Sequence, residues 1–155
     1  MSKLIPLTGK LGVGRFAIVD DRVYPLVSPF KWYLGKVGYA ASRRGKKHSD
    51  LVYLHDTVVS FSPLETDHRN GNKLDCRRRN LRPATHQQNA ANRGKQINNT
   101  SGFKGVSFEK SRRQWVAQLR ANGRRVLYKR FSTRAEAVDA YASAVKFHCG
   151  EFAHV

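Results

Sequence analysis

The sequence predicts an α+β chain made of two small units, and three observations carry that reading. Asn122-Gly123 parts two β-prone runs and is a strong hairpin signal. Thr133 with Glu136 fits a capping box that opens a helix just after the last of those runs. Residues 94–102, GKQINNTSG, are small, polar and turn-prone, and they read as a linker.

The elements follow in chain order. RFAIVD (15–20) reads as a short strand, and the Asp20-Asp21 pair with Pro25 as a turn or short helical piece. KWYLG (31–35) and GYAAS (38–42) are β-prone and predict a hairpin. RRGKKHSD (43–50) is a basic loop, and LVYLHDTVVSF (51–61) fits strand or helix equally. Gly71-Asn72 is turn chemistry. Asn80-Leu81-Arg82-Pro83 predicts a strand that ends near its proline. THQQNAANR (85–93) predicts a short helix. Beyond the linker, GVSFEK, QWVAQLR and RRVLYKRF predict three antiparallel strands. In the final helix Val138, Tyr141, Ala142 and Val145 fall at i, i+3, i+4 and i+7, an apolar stripe for packing on the sheet. Gly150 is placed to end that helix.

Charge narrows the function. Of 155 residues 29 are Lys or Arg and 11 are Asp or Glu, a net charge of +18. Residues 1–66 hold 10 basic and 5 acidic side chains, and residues 67–155 hold 19 and 6. Such a concentration of positive charge predicts a polyanion partner, nucleic acid first. No segment is a basic amphipathic helix with a broad apolar face, so a membrane surface is the weaker partner. Cys76 and Cys149 form neither a CxxC nor a disulfide framework, which excludes cysteine-bound zinc and suits a reducing cytosol. No apolar run reaches the length of a membrane span, and MSKLIPLTGK lacks the core of a secretory signal. A soluble cytoplasmic protein is expected.

Residues 67–93, DHRNGNKLDCRRRNLRPATHQQNAANR, carry the chemistry. Hydrolysis of a phosphodiester needs a base for the attacking water and a cation for the charge that builds on phosphate. A neutral His68 can be that base. A hard divalent ion on oxygen ligands can be that cation. Adjacent side chains on an extended segment point to opposite faces. Asp67 and His68 therefore need a bend to converge, and the Gly71-Asn72 turn supplies one. The Asn89 amide oxygen could complete the metal site.

Asp67-His68, Asn70-Gly71, Asp75, Asn80-Leu81-Arg82 and Asn89 together resemble the HNH endonuclease motif of phage and intron-encoded homing enzymes. Asn80 lies twelve residues after His68, and Asn89 lies twenty-one after it. The resemblance implies a ββα-metal module of a β-hairpin packed on a helix, and products with 5′-phosphate and 3′-hydroxyl ends. It implies His68 as general base, Asp67 and Asn89 as ligands of one magnesium or manganese ion, and Asn80 as the residue that pins the hairpin loop. His55 matches an upstream histidine of the family; Asp56 stands where members more often carry arginine. Arg77, Arg78 and Arg82, beside this site, are expected to hold phosphate.

Residues from about 102 to 153 resemble the plant ethylene-response-factor (Apetala-two type) DNA-binding domain. Lys104-Gly105-Val106, Trp115 to Arg120, Arg125-Val126, Phe131 and an alanine-rich helix carry the likeness. By position Lys104, Arg120 and Arg125 resemble the sheet residues that touch DNA, while Trp115 and Phe131 are expected in the core. Ser107 and Leu127 depart from the plant pattern, so its target sequence does not transfer. The expected organisation is a leader (1–50), an HNH module (51–93), a linker (94–102) and a DNA-binding domain (103–155). The expected activity is metal-dependent cleavage of double-stranded DNA by a monomer or homodimer. The rival readings are a DNA-binding regulator with a degenerate HNH fold, and an RNA-directed protein.

Overall fold

A computed structural model of the chain describes residues 1–45 and 50–153. His48 and His154 lie outside the described residues. The chain divides into two compact units, Met1–Ala84 and Thr85–Val155.

The first unit is built on a five-stranded sheet of order β2-β1-β3-β4-β5. Its strands are β1 (Ser2–Thr8), β2 (Phe16–Asp20), β3 (Trp32–Leu34), β4 (Ala40–Arg43) and β5 (Leu51–Tyr53). The short helices α1 (Tyr24–Val27) and α2 (Leu54–Val58) accompany it. A separate two-stranded sheet joins β6 (Glu65–His68) to β7 (Leu81–Ala84).

β1 is the element that sequence reasoning missed. Its alternation is legible in retrospect: Ile5 and Leu7 are buried while Leu4 and Pro6 are exposed. Proline within a run argues against an interior strand. Here β3 joins β1 only at Leu7 and Thr8, beyond Pro6, so the missing N–H breaks no ladder on that side. Residues 51–61 resolve into both alternatives, a short strand and then a one-turn helix. β7 runs past Pro83 to Ala84, which a strand with one neighbour tolerates.

The core of this unit gathers Ile5, Leu7, Val19, Trp32, Leu54 and Leu81, among others. The Trp32 indole N–H is satisfied inside it by the Val27 carbonyl at 2.8 Å. Cys76 is fully buried there, and burial pushes its thiol up to about 12. The boundary expected at residue 50 is therefore corrected. β5 pairs with β4, and one apolar cluster spans both sides of that point, so the leader is structurally part of the first unit.

The second unit is a helix α3 (His86–Asn92), a three-stranded antiparallel sheet and a long helix α4 (Arg134–Cys149). The sheet has the order β10-β9-β8, from β8 (Val106–Glu109), β9 (Gln114–Ala121) and β10 (Arg124–Phe131). Asn122 and Gly123 link β9 to β10 with φ of 51° and 73°, the left-handed pair that a two-residue hairpin of this kind requires. Both helices open on a capping box, Thr85 with Gln88 and Thr133 with Glu136.

The buried stripe of α4 is Ala137, Tyr141 and Val145, with Val138 at its margin. Ala142 lies outside the cluster, which corrects the expected stripe by part of a turn. Gly105 makes this packing work. A Cβ there would come 2.0 Å from the Tyr141 ring, and its φ of 67° already favours glycine. Residues 94–102 are a folded turn rather than a free linker. The Asn99 side chain accepts from Gly102 N–H at 2.8 Å and donates to the Phe103 carbonyl at 2.8 Å, and Ser101 is buried. Among the described residues no helix is long and apolar enough to cross a membrane.

Candidate active site and nucleic-acid interface

β6 carries Asp67 and His68, and strand geometry sends their side chains to opposite faces. Both are buried. Asp67 pairs across the ribbon with Arg82, whose Nε donates to Asp67 Oδ2 at 2.7 Å. The Arg82 side chain is 4% exposed. This corrects the expectation that Arg82 holds phosphate, because its guanidinium is committed to a buried carboxylate.

His68 faces a group of rings. His55 lies 5.1 Å away, edge to face, and Tyr39 lies 5.7 Å away. Burial first, and then the neighbouring His55, lower the His68 pKa to about 4, while Asp67 and Asp75 oppose. The imidazole is thus neutral throughout the range in which cells operate. His55 is lowered too, first by burial, with Asp56 acting against it. Asp56 Oδ1 sits 3.5 Å from His55 Nε2 and accepts from the Thr66 hydroxyl at 3.1 Å, so α2 is tied to β6 at this residue.

The loop between β6 and β7 is held by polar side chains. Asn80 Oδ1 accepts from the Asn70 N–H at 3.0 Å, and its amide donates to the Asp75 carbonyl at 2.8 Å. The Arg69 N–H reaches the Asn80 carbonyl at 2.8 Å. Asp75 is buried and takes Arg77 by two bonds, at 2.7 and 2.6 Å, with Asn70 at 3.0 Å. Those contacts, Arg77 foremost, hold the Asp75 carboxyl below the usual range. Asp75 is thus more than the turn former that its position suggests, and Arg77 is largely occupied by it. Arg78 stays exposed.

Asn89 is half-buried on α3, in the second unit, whereas Asp67 and His68 belong to the first. Among the described residues no group of three His, Cys, Asp or Glu side chains could hold a metal. The expected donors are instead one carboxylate and one amide oxygen. That set suits a hard ion, which keeps waters and takes substrate phosphate oxygens to fill its shell. Arg82 on the same carboxylate offsets its charge, and Asn89 belongs to the other unit.

In the second unit the expected DNA contacts separate. Lys104 is half-buried, and its ammonium donates to the carbonyls of Ala90, Ala91 and Arg93. Burial holds it below its ordinary pKa. It satisfies the open carbonyls that end α3, which corrects its assignment to DNA. Arg120 and Arg125 are exposed and stand directly opposite each other on β9 and β10. Arg125 lies 4.8 Å over the Tyr128 ring, and Arg130 lies 5.3 Å from it. A cavity of about 840 Å³ includes Arg120, Arg125 and His86 in its lining, and no carboxylate lines it among the described residues. Trp115 and Phe131 pack at the margin of the core, as expected. The two units hold 16 basic against 7 acidic side chains and 13 against 4, so each has a net charge of +9. The positive charge is thus shared evenly between the two units.

Residues 62–91 match the HNH endonuclease family. Over 145 residues the chain is 34% identical to a protein of Acanthamoeba polyphaga mimivirus named as an uncharacterized HNH endonuclease, covering 92% of this chain and 75% of the relative. The chain belongs to the HNH endonuclease family. No solved structure matches it significantly. The family segment begins just before β6 and ends within α3, so it contains Asp67, His68, Asn80 and Asn89. Tyr39, His55 and the sheet of β8–β10 lie outside it.

Proposed function

We propose that this HNH family member is a metal-dependent DNA endonuclease of the homing or phage type in which His68 is the general base. The observation that carries the reading is the His68 imidazole, buried beside His55 and inside the matched segment, where burial favours its neutral form. A base must be unprotonated before it can act, and burial keeps it so far below neutral pH. His68 takes the proton of the attacking water. Asn80 fixes the loop that follows β6 and so limits where the imidazole can turn. Asp67, with Asn89, would hold one magnesium or manganese ion. Such an ion supplies Lewis-acid stabilisation of the charge that develops on phosphate.

The second unit, in this reading, is the Apetala-two-like module that grips duplex DNA through β8–β10. Two arginines directly opposite on neighbouring strands repel each other. That arrangement costs stability in the free chain and suits an anionic partner. With one site per chain, a monomer nicks, and double-strand cleavage takes a homodimer or a second event.

The test is cleavage of supercoiled plasmid in magnesium or manganese. Wild type should nick or linearise it, EDTA should stop the reaction, and His68→Ala should lower the rate about 10²–10⁴-fold. One observation favours a different reading, a DNA-binding regulator without catalysis. His68 is only 4% exposed, and Asp67 is bound to Arg82. If wild type and His68→Ala leave the plasmid equally intact, the regulator is the better account.

A further inference from the structure

We infer that Tyr39, from the turn between β3 and β4, is a positioning residue for His68, so that residues before the family segment form part of the active site. The inference rests on the general-base reading of His68.

Four rings meet in the first unit, and Tyr39 and His55 each touch the other three. The Tyr39 centroid lies 4.9 Å from His55, 5.7 Å from His68 and 5.8 Å from Tyr53. Tyr53 in turn stacks on His55 at 5.5 Å, with the ring planes 11° apart. His68 therefore has a ring edge to face on one side, from His55, and the tilted Tyr39 ring on another.

The need for such a clamp follows from side-chain freedom. The last torsion of histidine is broad and roughly two-fold, so the backbone of β6 does not by itself decide which nitrogen faces a substrate. Two flanking rings narrow that choice. A displacement of about 1 Å in a reacting group costs on the order of a hundredfold in rate, so a ring that fixes the base acts on turnover more than on binding.

Tyr39 is itself anchored. Its carbonyl accepts from the Gly35 N–H at 2.9 Å, and Gly38 bonds back to the Gly35 carbonyl at 2.9 Å, which closes the turn. The Lys73 ammonium lies 4.7 Å over the Tyr39 ring and donates to the Val37 carbonyl at 2.8 Å. Lys73 comes from the β6–β7 loop. The segment that carries the base thus also holds the turn that positions it.

The experiment measures kcat and KM for plasmid nicking, and thermal midpoints, for the full chain. Wild type and His68→Ala come first. If they nick equally, the general-base reading fails, and with it the role assigned to Tyr39. If His68→Ala is inactive, Tyr39→Leu should lower kcat about 10- to 100-fold with KM within twofold, and Tyr39→Phe should restore kcat, because the ring and not the hydroxyl is the clamp. Lys73→Met spares the core and loosens the anchor, so it should lower kcat several-fold; it keeps the inference testable if Tyr39→Leu does not fold. Wild-type kcat in a folded Tyr39→Leu, or equal damage from Tyr39→Phe and Tyr39→Leu, would overturn it.

Discussion

β6–β7 and β9–β10 are both antiparallel pairs with an arginine within the strand, and they use it in opposite ways. Arg82 is directly opposite Asp67, and the pair is buried. Arg120 is directly opposite Arg125, and the pair is exposed. The residue type is the same, and the cross-strand neighbour decides its task. A cation that meets a carboxylate inside the protein is spent on the fold. A cation that meets a second cation at the surface is held ready for an anion from outside.

The largest expected break of this contrast is Arg82→Ala. It leaves the Asp67 carboxylate buried without its cation, and loss of one partner of a buried pair costs about 3–5 kcal/mol. Urea unfolding should show the drop, and a wild-type midpoint would remove the pair from the list of features that hold the first unit. Next is the pH dependence of His68. Its folded pKa of about 4 is below the ordinary 6.5 of an unfolded chain, so the unfolded state takes the proton first. Stability is whole above pH 6.5 and falls as pH drops towards 4, by about 3 kcal/mol if the shift is expressed in full. Unfolding measured at pH 7.5 and 4.5 checks the sign, and His68→Phe should flatten the slope.

Gly105→Ala sharpens the comparison from the other unit. The new methyl group meets the Tyr141 ring and a left-handed backbone at once, for a loss of about 2–3 kcal/mol. The smallest effect belongs to Arg120→Gln. Relief of the repulsion with Arg125 should raise stability by about 0.5 kcal/mol or less. The same change should weaken binding to duplex DNA and reduce the salt slope of log K by about 1. Titrations at several salt concentrations read this directly.

Local signals in the sequence were faithful. Asn122-Gly123 and the box of Thr133 with Glu136 are contained within a few residues, and each formed the turn or cap that its chemistry favours. The features that escaped depend on distant pairing. β1 has an ambiguous composition and becomes a strand only between β2 and β3, the latter parallel and far along the chain. The motif residues Asp67, His68, Asn80 and Asn89 were legible because their spacing is specific, but the arginine that occupies Asp67 and the tyrosine beside His68 were not. Nothing in the local context of Arg82 or Lys104 separates a cation bound to protein from one offered to DNA. Only the cross-strand partner of the first and the carbonyls around the second make that distinction.

The two cysteines fall one in each unit, and neither is in a disulfide. Cys76 is sealed in the first core, and Cys149 is half-covered beside the second. A thiol reagent therefore has a built-in reporter on either side of the boundary at residue 84. The rate at which each sulfur is alkylated would clock how often its own half breathes open, without any engineered label.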